Sequence, residues 1–141
     1  MDFKKIQPEY TDDRGKIVDI LERVETDCVT LITSKKGARR GDHYHKKSLQ
    51  YLYVLSGRLQ LLTQMSGEKT LQTTIESGHM VSTPPWESHA FIAIDDSTMI
   101  VLTRGPRGGS TYEDDTYRLS EPLSIQTSEV GGSEGIGEVN E

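Results

Sequence analysis

Three histidines carry the strongest chemical signal in the sequence. His43 and His45 are separated by one residue, and His89 follows a double proline farther along the chain. Side chains two residues apart in a β-strand point to the same face, about 6.5 Å apart along the chain, so His43 and His45 can both reach one atom between them. Imidazole transfers protons near neutral pH and also binds divalent transition metals. The pattern therefore predicts a site that either moves protons or binds a metal.

Two polar residues flank the paired histidines. Gln50 heads a predicted strand face that continues with Leu52 and Val54, and a polar amide on such a face indicates either a site residue or a hydrogen-bonded core amide. Arg40 precedes the histidines closely, where its guanidinium could bind a phosphate group or lie on the surface. We expect both residues to hold substrate.

The rest of the chain shows short strands separated by turn residues, with no helical period. The predicted strands are 16–21, 27–33, 49–55, 58–64, 69–75, 80–83, 90–94 and 98–104. This spacing predicts an all-β sandwich or barrel. We expect one barrel domain over residues 1–122. Residues 123–141 are predicted to be a flexible tail, because a Gly/Ser/Glu-rich segment buries too little surface to offset its ordering entropy.

Composition limits the partners and the compartment. A chain of 141 residues suits one domain with one core. The formal net charge of −6 argues against nucleic acid as a partner. We expect a cytoplasmic protein without a membrane partner, because no apolar run is long enough to cross a bilayer and the first residues lack a signal-like stretch. Cys28 is the only cysteine, which excludes an internal disulfide and a thiolate cluster.

The residues around the paired histidines also follow a known spacing. Gly37, five residues, His43, one residue, His45, four residues, Gln50, six residues and Gly57 resemble the first motif of the cupins. Gln50 stands where that motif usually carries Glu. The resemblance implies a double-stranded β-helix, the jelly-roll barrel of that superfamily, with the histidines at its open end.

A second motif follows after a predicted hairpin. Gly78, five residues, Pro84, one residue, Trp86, two residues and His89 are similar to the second cupin motif. Trp86 occupies the position where that motif usually has Gly, and Ala93 the position where it often has Asn. Trp86 could stack on the base or sugar of a ligand, or it could cap the barrel.

A narrower resemblance concerns residues 40–46, RGDHYHK, followed by Gln50. They look like the Arg-Gly-x-His-x-His-Lys-x-x-x-Gln pattern of the cupin sugar-nucleotide 3,4-ketoisomerases. Residues 12–17 and 112–118 are similar to the opening and the acidic, tyrosine-containing end of those enzymes and of the related dTDP-4-dehydrorhamnose 3,5-epimerases. Tyr44, where the ketoisomerases commonly have Ala, is closer to the cupin domain of capsular polysaccharide epimerase-reductases, which can carry zinc.

The ketoisomerase resemblance implies an isomerase that requires no cofactor. Its substrate would be a nucleotide-linked 4-keto-6-deoxy sugar, whose carbonyl moves from C4 to C3 through an enediol. His43 would act as the base and His45 as the partner acid or a second base. The residues expected to bind substrate are Arg40, Gln50, Trp86 and His89.

Two other functions fit the same residues. The first is a metal-dependent cupin of the dioxygenase or lyase type, in which His43, His45, Gln50 and His89 bind Zn, Fe, Ni or Mn. Gln is a neutral and weaker ligand than Glu, so this set binds a dication less strongly. The second is a non-catalytic cupin that binds a small ligand. In each case we expect a homodimer, with the strand at 16–21 as the candidate contact.

Overall fold

Residues 1–107 and 113–125 are described by the computed structural model, and they form twelve short β-strands joined by turns. The strands are β1 Asp2–Lys5, β2 Tyr10–Asp12, β3 Gly15–Ile17, β4 Cys28–Ser34, β5 Arg39–Tyr44, β6 Leu49–Ser56, β7 Arg58–Gln64, β8 Leu71–Glu76, β9 His79–Thr83, β10 Ser88–Ala93, β11 Ser97–Arg104 and β12 Tyr117–Arg118. No helix in these residues is long and apolar enough to cross a membrane.

The strands form two five-stranded antiparallel sheets and a small ribbon. The first sheet has the order β1-β9-β6-β11-β4, the second has the order β12-β5-β10-β7-β8, and β2 pairs with β3. From β4 to β7, successive strands alternate between the two sheets, so the chain winds around the space between them. This winding confirms the predicted all-β jelly-roll architecture of the cupins.

The core lies between the sheets and follows from period-two patterning. Along β11 every second side chain is buried, because alternate residues of a strand point to the same face. The buried core comprises Leu52, Val54, Leu59, Leu61, Ile75, Val81, Met99 and Val101. Gln50 lies on β6 in the same register as Leu52, and its side chain therefore faces the barrel interior.

One predicted strand is wrong for most of its length. Of residues 16–21, only 16 and 17 lie in a strand, as part of β3. Val18, Ile20 and Leu21 are half-buried without strand pairing. Sequence periodicity reports which side chains are buried, and burial does not require a neighbouring strand to hydrogen-bond with.

The packed chain continues beyond the predicted boundary at residue 122. Leu123 is 5% exposed and packs against Leu62 and Ala90 on the outer face of the second sheet. Its backbone N–H donates to Asp42 Oδ1 at 2.9 Å. The end of the predicted tail, residues 126–141, lies outside the described residues, as do residues 108–112.

Candidate functional site

The three histidines converge inside the barrel. His43 lies on β5 opposite His89 on β10, and His45 follows the end of β5. The distances between ring centroids are 4.9 Å for His43 and His45, 4.8 Å for His43 and His89, and 5.2 Å for His45 and His89. The rings therefore form one cluster, as the sequence pattern predicts.

A β-bulge contributes to this convergence. His89 pairs with His43 and Ala90 pairs with Gly41, so Asp42 is the extra residue on β5. Asp42 has a φ of 60° and Gly41 a φ of 102°. A bulge re-aims the side chains next to it. Arg39 donates two hydrogen bonds of 2.8 Å to the Asp42 carboxylate and so holds the bulge in place.

The cluster lines a cavity of about 670 Å³, a volume typical of small-molecule sites. The lining includes a polar set and an apolar set. The polar set is His43, His45, His89, Gln50, Thr30, Thr33, Thr83, Thr116, Glu113, Arg39, Arg40, Arg107 and Arg118, and the apolar set includes Ile32, Leu52, Phe91, Met99 and Val101. The cavity therefore combines proton-transfer groups and cationic groups with an apolar wall.

Backbone carbonyls fix the protonation of two of the rings. His45 Nδ1 lies 2.9 Å from the Asp115 carbonyl oxygen, and His89 Nδ1 lies 3.3 Å from the Glu87 carbonyl oxygen. A carbonyl can only accept, so each neutral ring carries its proton on Nδ1 and a lone pair on Nε2. His45 Nε2 is buried and has no hydrogen-bond partner among the described residues. It can act as a base or as a metal ligand.

Burial keeps two of the histidines neutral. Desolvation is the largest cause, and the neighbouring His45 the next, of a pKa for His43 that is lowered to about 4. For His89, desolvation is again the largest cause, and the nearby His43 and His45 add to it, so that its pKa is lowered to about 3. Both rings are therefore uncharged at neutral pH, and His89 is only 2% exposed.

These lowered pKa values predict a loss of stability in mild acid. Below the ordinary histidine pKa of 6.5, the unfolded chain binds protons that folded His43 and His89 do not bind. Their contribution is complete above pH 6.5 and is lost as the pH falls towards 4 for His43 and towards 3 for His89. We expect the free energy of unfolding to fall by up to about 1.4 kcal/mol per pH unit for each histidine.

Urea unfolding between pH 7 and pH 4.5, on protein treated with a chelator, measures this slope. His89→Asn should flatten it, because one of the two buried rings that resist protonation is then absent. An equal slope in the wild type and the His89→Asn variant would contradict the assignment.

Gln50 and Arg40 both line the cavity. Gln50 Nε2 donates to Thr103 Oγ1 at 3.1 Å, which leaves the amide oxygen as an acceptor. Arg40 donates to Ser34 Oγ and to the Thr33 carbonyl oxygen, each at 2.9 Å. These partners are neutral, so no carboxylate among the described residues offsets the Arg40 charge.

Trp86 lies apart from the histidine cluster. It is 52% exposed, is not among the residues that line the cavity, and stacks on Tyr44 at 5.7 Å between ring centroids. Tyr44 stacks in turn on Tyr117 at 5.5 Å, and the Lys46 ammonium lies over Trp86 and Tyr117. Trp86 has a φ of 72°, the left-handed conformation that favours the Gly usual at this motif position. Its position does not support stacking on a ligand in the cavity.

Sequence reasoning missed Asp115, which is 4% exposed. Burial alone raises the pKa of its carboxyl group, but hydrogen bonds from Lys47, Lys46 and Ser48 hold that pKa below its ordinary value. Arg118 was also missed as a cavity residue, and it forms an ion pair with Glu113 at 2.9 Å. The acidic, tyrosine-containing pattern at 112–118 marked this segment without showing which residue matters; residue 112 is outside the described residues.

Comparison with known proteins gives a consistent picture. A family profile described as "Polysaccharide biosynthesis C-terminal domain" matches residues 10–117. A UDP-2-acetamido-2,6-beta-L-arabino-hexul-4-ose reductase from Pseudomonas aeruginosa is 25% identical over 116 residues, which are 80% of this chain. The chain spans 31% of the length of that relative.

Two solved structures share the fold. A sugar 3,4-ketoisomerase from Thermoanaerobacterium thermosaccharolyticum, in complex with TDP, has a TM-score of 0.71 and 20% identity, with 84% of this chain and 88% of the other covered. A dTDP-4-dehydrorhamnose 3,5-epimerase from Sulfolobus tokodaii has a TM-score of 0.65 and 18% identity, with 86% and 83% covered. These matches show that the barrel is of the same kind as in both enzymes.

Proposed function

Because the chain belongs to the polysaccharide biosynthesis C-terminal domain family, we propose that it isomerises or epimerises a nucleotide-linked 4-keto-6-deoxy sugar. The observation that carries this proposal is the buried lone pair on His45 Nε2, held by the hydrogen bond between Nδ1 and the Asp115 carbonyl. A base of fixed orientation in a cavity of this size suits proton abstraction next to a ketone.

The proposed reaction balances without a cofactor. His45 Nε2 takes the proton from C3, next to the C4 ketone, and electrons move onto O4 to form an enolate. Neutral His43 and the second N–H of the Gln50 amide, whose other N–H is donated to Thr103 Oγ1, are the donors proposed for that oxygen. Return of a proton to C4, with the hydroxyl proton passing from O3 to O4, moves the carbonyl to C3. Return of the proton to C3 on the opposite face would instead epimerise that carbon.

These roles differ from those expected from the sequence. The sequence resemblance implies that His43 is the base and that His45 is the partner acid or a second base. In the structure His45 has the fixed lone pair, while burial lowers the pKa of His43 to about 4 and so weakens it as a base. We therefore assign the abstraction to His45 and propose that His43 and His89 contact the reacting oxygens.

The charge of the cavity lining supports a nucleotide diphosphate as the carrier of the sugar. The chain has a net charge of −6, yet four arginines and a single carboxylate line the cavity in the described residues. Arg39 pairs with Asp42 and Arg118 with Glu113. Arg40 has only neutral partners there and is the best placed of these three to meet an anion.

Arg40→Gln should therefore weaken nucleotide binding. We expect the Kd for dTDP or UDP to rise by about tenfold or more, because charge-assisted hydrogen bonds to phosphate are lost. Isothermal titration measures the change. Arg58→Gln is the matched control, since Arg58 pairs with Asp95 and does not line the cavity. A Kd for Arg40→Gln within twofold of the wild-type value would contradict the proposed contact between Arg40 and the phosphate groups.

Proton exchange tests the reaction itself. Incubation with 4-keto-6-deoxy sugars linked to dTDP or UDP in deuterated water should place deuterium on a carbon next to the ketone, as seen by NMR. Tight nucleotide binding with no exchange at any pH would leave a ligand-binding cupin and would overturn the enzymatic proposal.

A metal-dependent cupin is the second candidate, favoured by one observation. Nitrogens of His43, His45 and His89 lie within 4.8 Å of one another, and the Gln50 amide oxygen could add a neutral ligand. These donor types suit Zn, Fe, Ni or Mn, and such an ion would polarise a substrate oxygen.

Metal analysis separates the two candidates. Protein purified without an affinity tag should contain well below one equivalent of transition metal and should keep its exchange activity in the presence of a chelator. Near-stoichiometric metal together with activity lost on chelation would favour the metal-dependent enzyme.

We also propose that the chain forms a homodimer. Large apolar side chains are exposed on the ribbon and on β4, an edge strand, namely Ile17 at 61%, Val29 at 62% and Leu31 at 64%. Such side chains together with an unpaired edge favour association. Light scattering at micromolar concentration should give the mass of two chains, with a return to one chain for Leu31→Asp. A monomer mass for the wild type would refute the dimer.

A further inference from the structure

The segment 113–118 runs alongside β5 next to the histidine cluster. β12 pairs with β5, with Tyr117 opposite Tyr44 and Arg118 opposite His43. Asp115 lies just before β12 and is 4% exposed. Three residues of this segment, Glu113, Thr116 and Arg118, also line the cavity. The returning chain therefore forms part of the site.

The Asp115 carboxylate holds the turn that follows His45. It accepts hydrogen bonds from the backbone N–H groups of Lys46, Lys47 and Ser48 at 3.0, 2.9 and 2.9 Å. It also accepts one from Ser48 Oγ at 3.0 Å. Four donors converge on one buried carboxylate, and such charge-assisted hydrogen bonds are the strong ones.

The backbone of the same residue holds the ring of His45. The Asp115 carbonyl oxygen accepts the Nδ1–H of His45 at 2.9 Å. The side chain and the main chain of Asp115 thus bind adjacent parts of one short stretch, residues 45–48. The carboxylate sets where the residue sits, and the position of the carbonyl follows from it.

We propose that Asp115 is a positioning residue, whose carboxylate places its own carbonyl so that His45 keeps its proton on Nδ1 and its lone pair on Nε2. The role of that lone pair as a base rests on the proposed function, whereas the state of the ring does not. Asn at this position has one acceptor oxygen and an NH2 group that would face a backbone N–H. It cannot satisfy the four donors.

NMR of protein with ¹⁵N-labelled histidine tests the inference without a substrate. In the neutral wild-type ring of His45, Nδ1 should resonate as a protonated nitrogen and Nε2 as an unprotonated one. Asp115→Asn should lose this pattern and show a mixture of the two neutral forms. The Lys46 N–H donates to Oδ1, whereas the other three donors share Oδ2, so the Asn NH2 group would face Lys46. Amide hydrogen exchange of Lys46 should therefore become faster by about tenfold or more. Asp114→Asn, a change of the adjacent exposed carboxylate, should alter neither.

Two further measurements keep the test decisive. Ser48→Ala removes one of the four hydrogen bonds and should give a smaller change in the same direction if Asp115→Asn does not fold. If exchange activity is found, Asp115→Asn should lower kcat much more than it changes KM. A wild-type ring protonated on Nε2, or an unchanged ring in Asp115→Asn, would overturn the inference. Absence of activity with the expected ring pattern would instead count against the proposed function alone.

Discussion

His45→Asn should lower the rate of deuterium exchange and of isomerisation by about 10²- to 10⁴-fold, the range expected when a general base is removed. Asn is the informative replacement, because its amide NH2 can take the place of Nδ1–H as a donor to the Asp115 carbonyl. The side chain then keeps its anchor and loses only the nitrogen at the Nε2 position. Nucleotide affinity should change little.

Steady-state kinetics and titration with dTDP or UDP measure the two effects separately. His79→Asn is the matched control, since His79 accepts a hydrogen bond from the Glu76 backbone and packs against Phe3 outside the cavity. Activity of His45→Asn within tenfold of the wild type would contradict the role of His45 as the base.

Gly41→Ala should destabilise the protein strongly and disturb the site as well. A Cβ at Gly41 would lie 2.7 Å from the His89 carbonyl oxygen and 3.0 Å from Ala90 Cα, both of which belong to β10. Backbone atoms cannot move aside as a flexible side chain can, so β5 and β10 must separate. We expect a loss of about 3 kcal/mol or more in the free energy of unfolding, together with weaker activity.

Gly37→Ala isolates the steric part of this effect. Gly37 also has a positive φ, 87°, but a Cβ there would meet nothing within 4 Å. The free energy of unfolding of Gly37→Ala should therefore fall by only about 1 kcal/mol, the cost of placing Ala in an unfavourable backbone conformation. Urea unfolding of both variants measures the difference. Equal losses would show that contact with β10 does not constrain Gly41.

The histidine cluster could be predicted because its information is local. One-residue spacing places His43 and His45 close together on any strand, and the prolines before His89 mark the start of another strand. Most strands were found for the same reason, since alternate burial repeats every two residues. The short strands β1, β2 and β12 were missed because all their residues except the half-buried Asp12 are exposed and show no such alternation.

The remaining features depend on contacts between distant parts of the chain. Asp115 meets His45 across 70 residues of sequence, and no local pattern indicates that pairing. Trp86, in the second histidine motif, was expected either to stack on a ligand or to cap the barrel. Its left-handed backbone turns it to the outside instead, where Tyr44 supplies a stacking partner.

The stack of Trp86 on Tyr44 and Tyr117 gives the protein a built-in optical reporter. Trp86 is the single tryptophan of the chain, so all indole fluorescence originates beside the junction of β5 and β12. Detachment of β12 would separate Tyr117 from the stack and take the Lys46 ammonium away from the Tyr117 ring. A change in emission intensity or wavelength would therefore follow the opening of this junction in real time, without any attached dye.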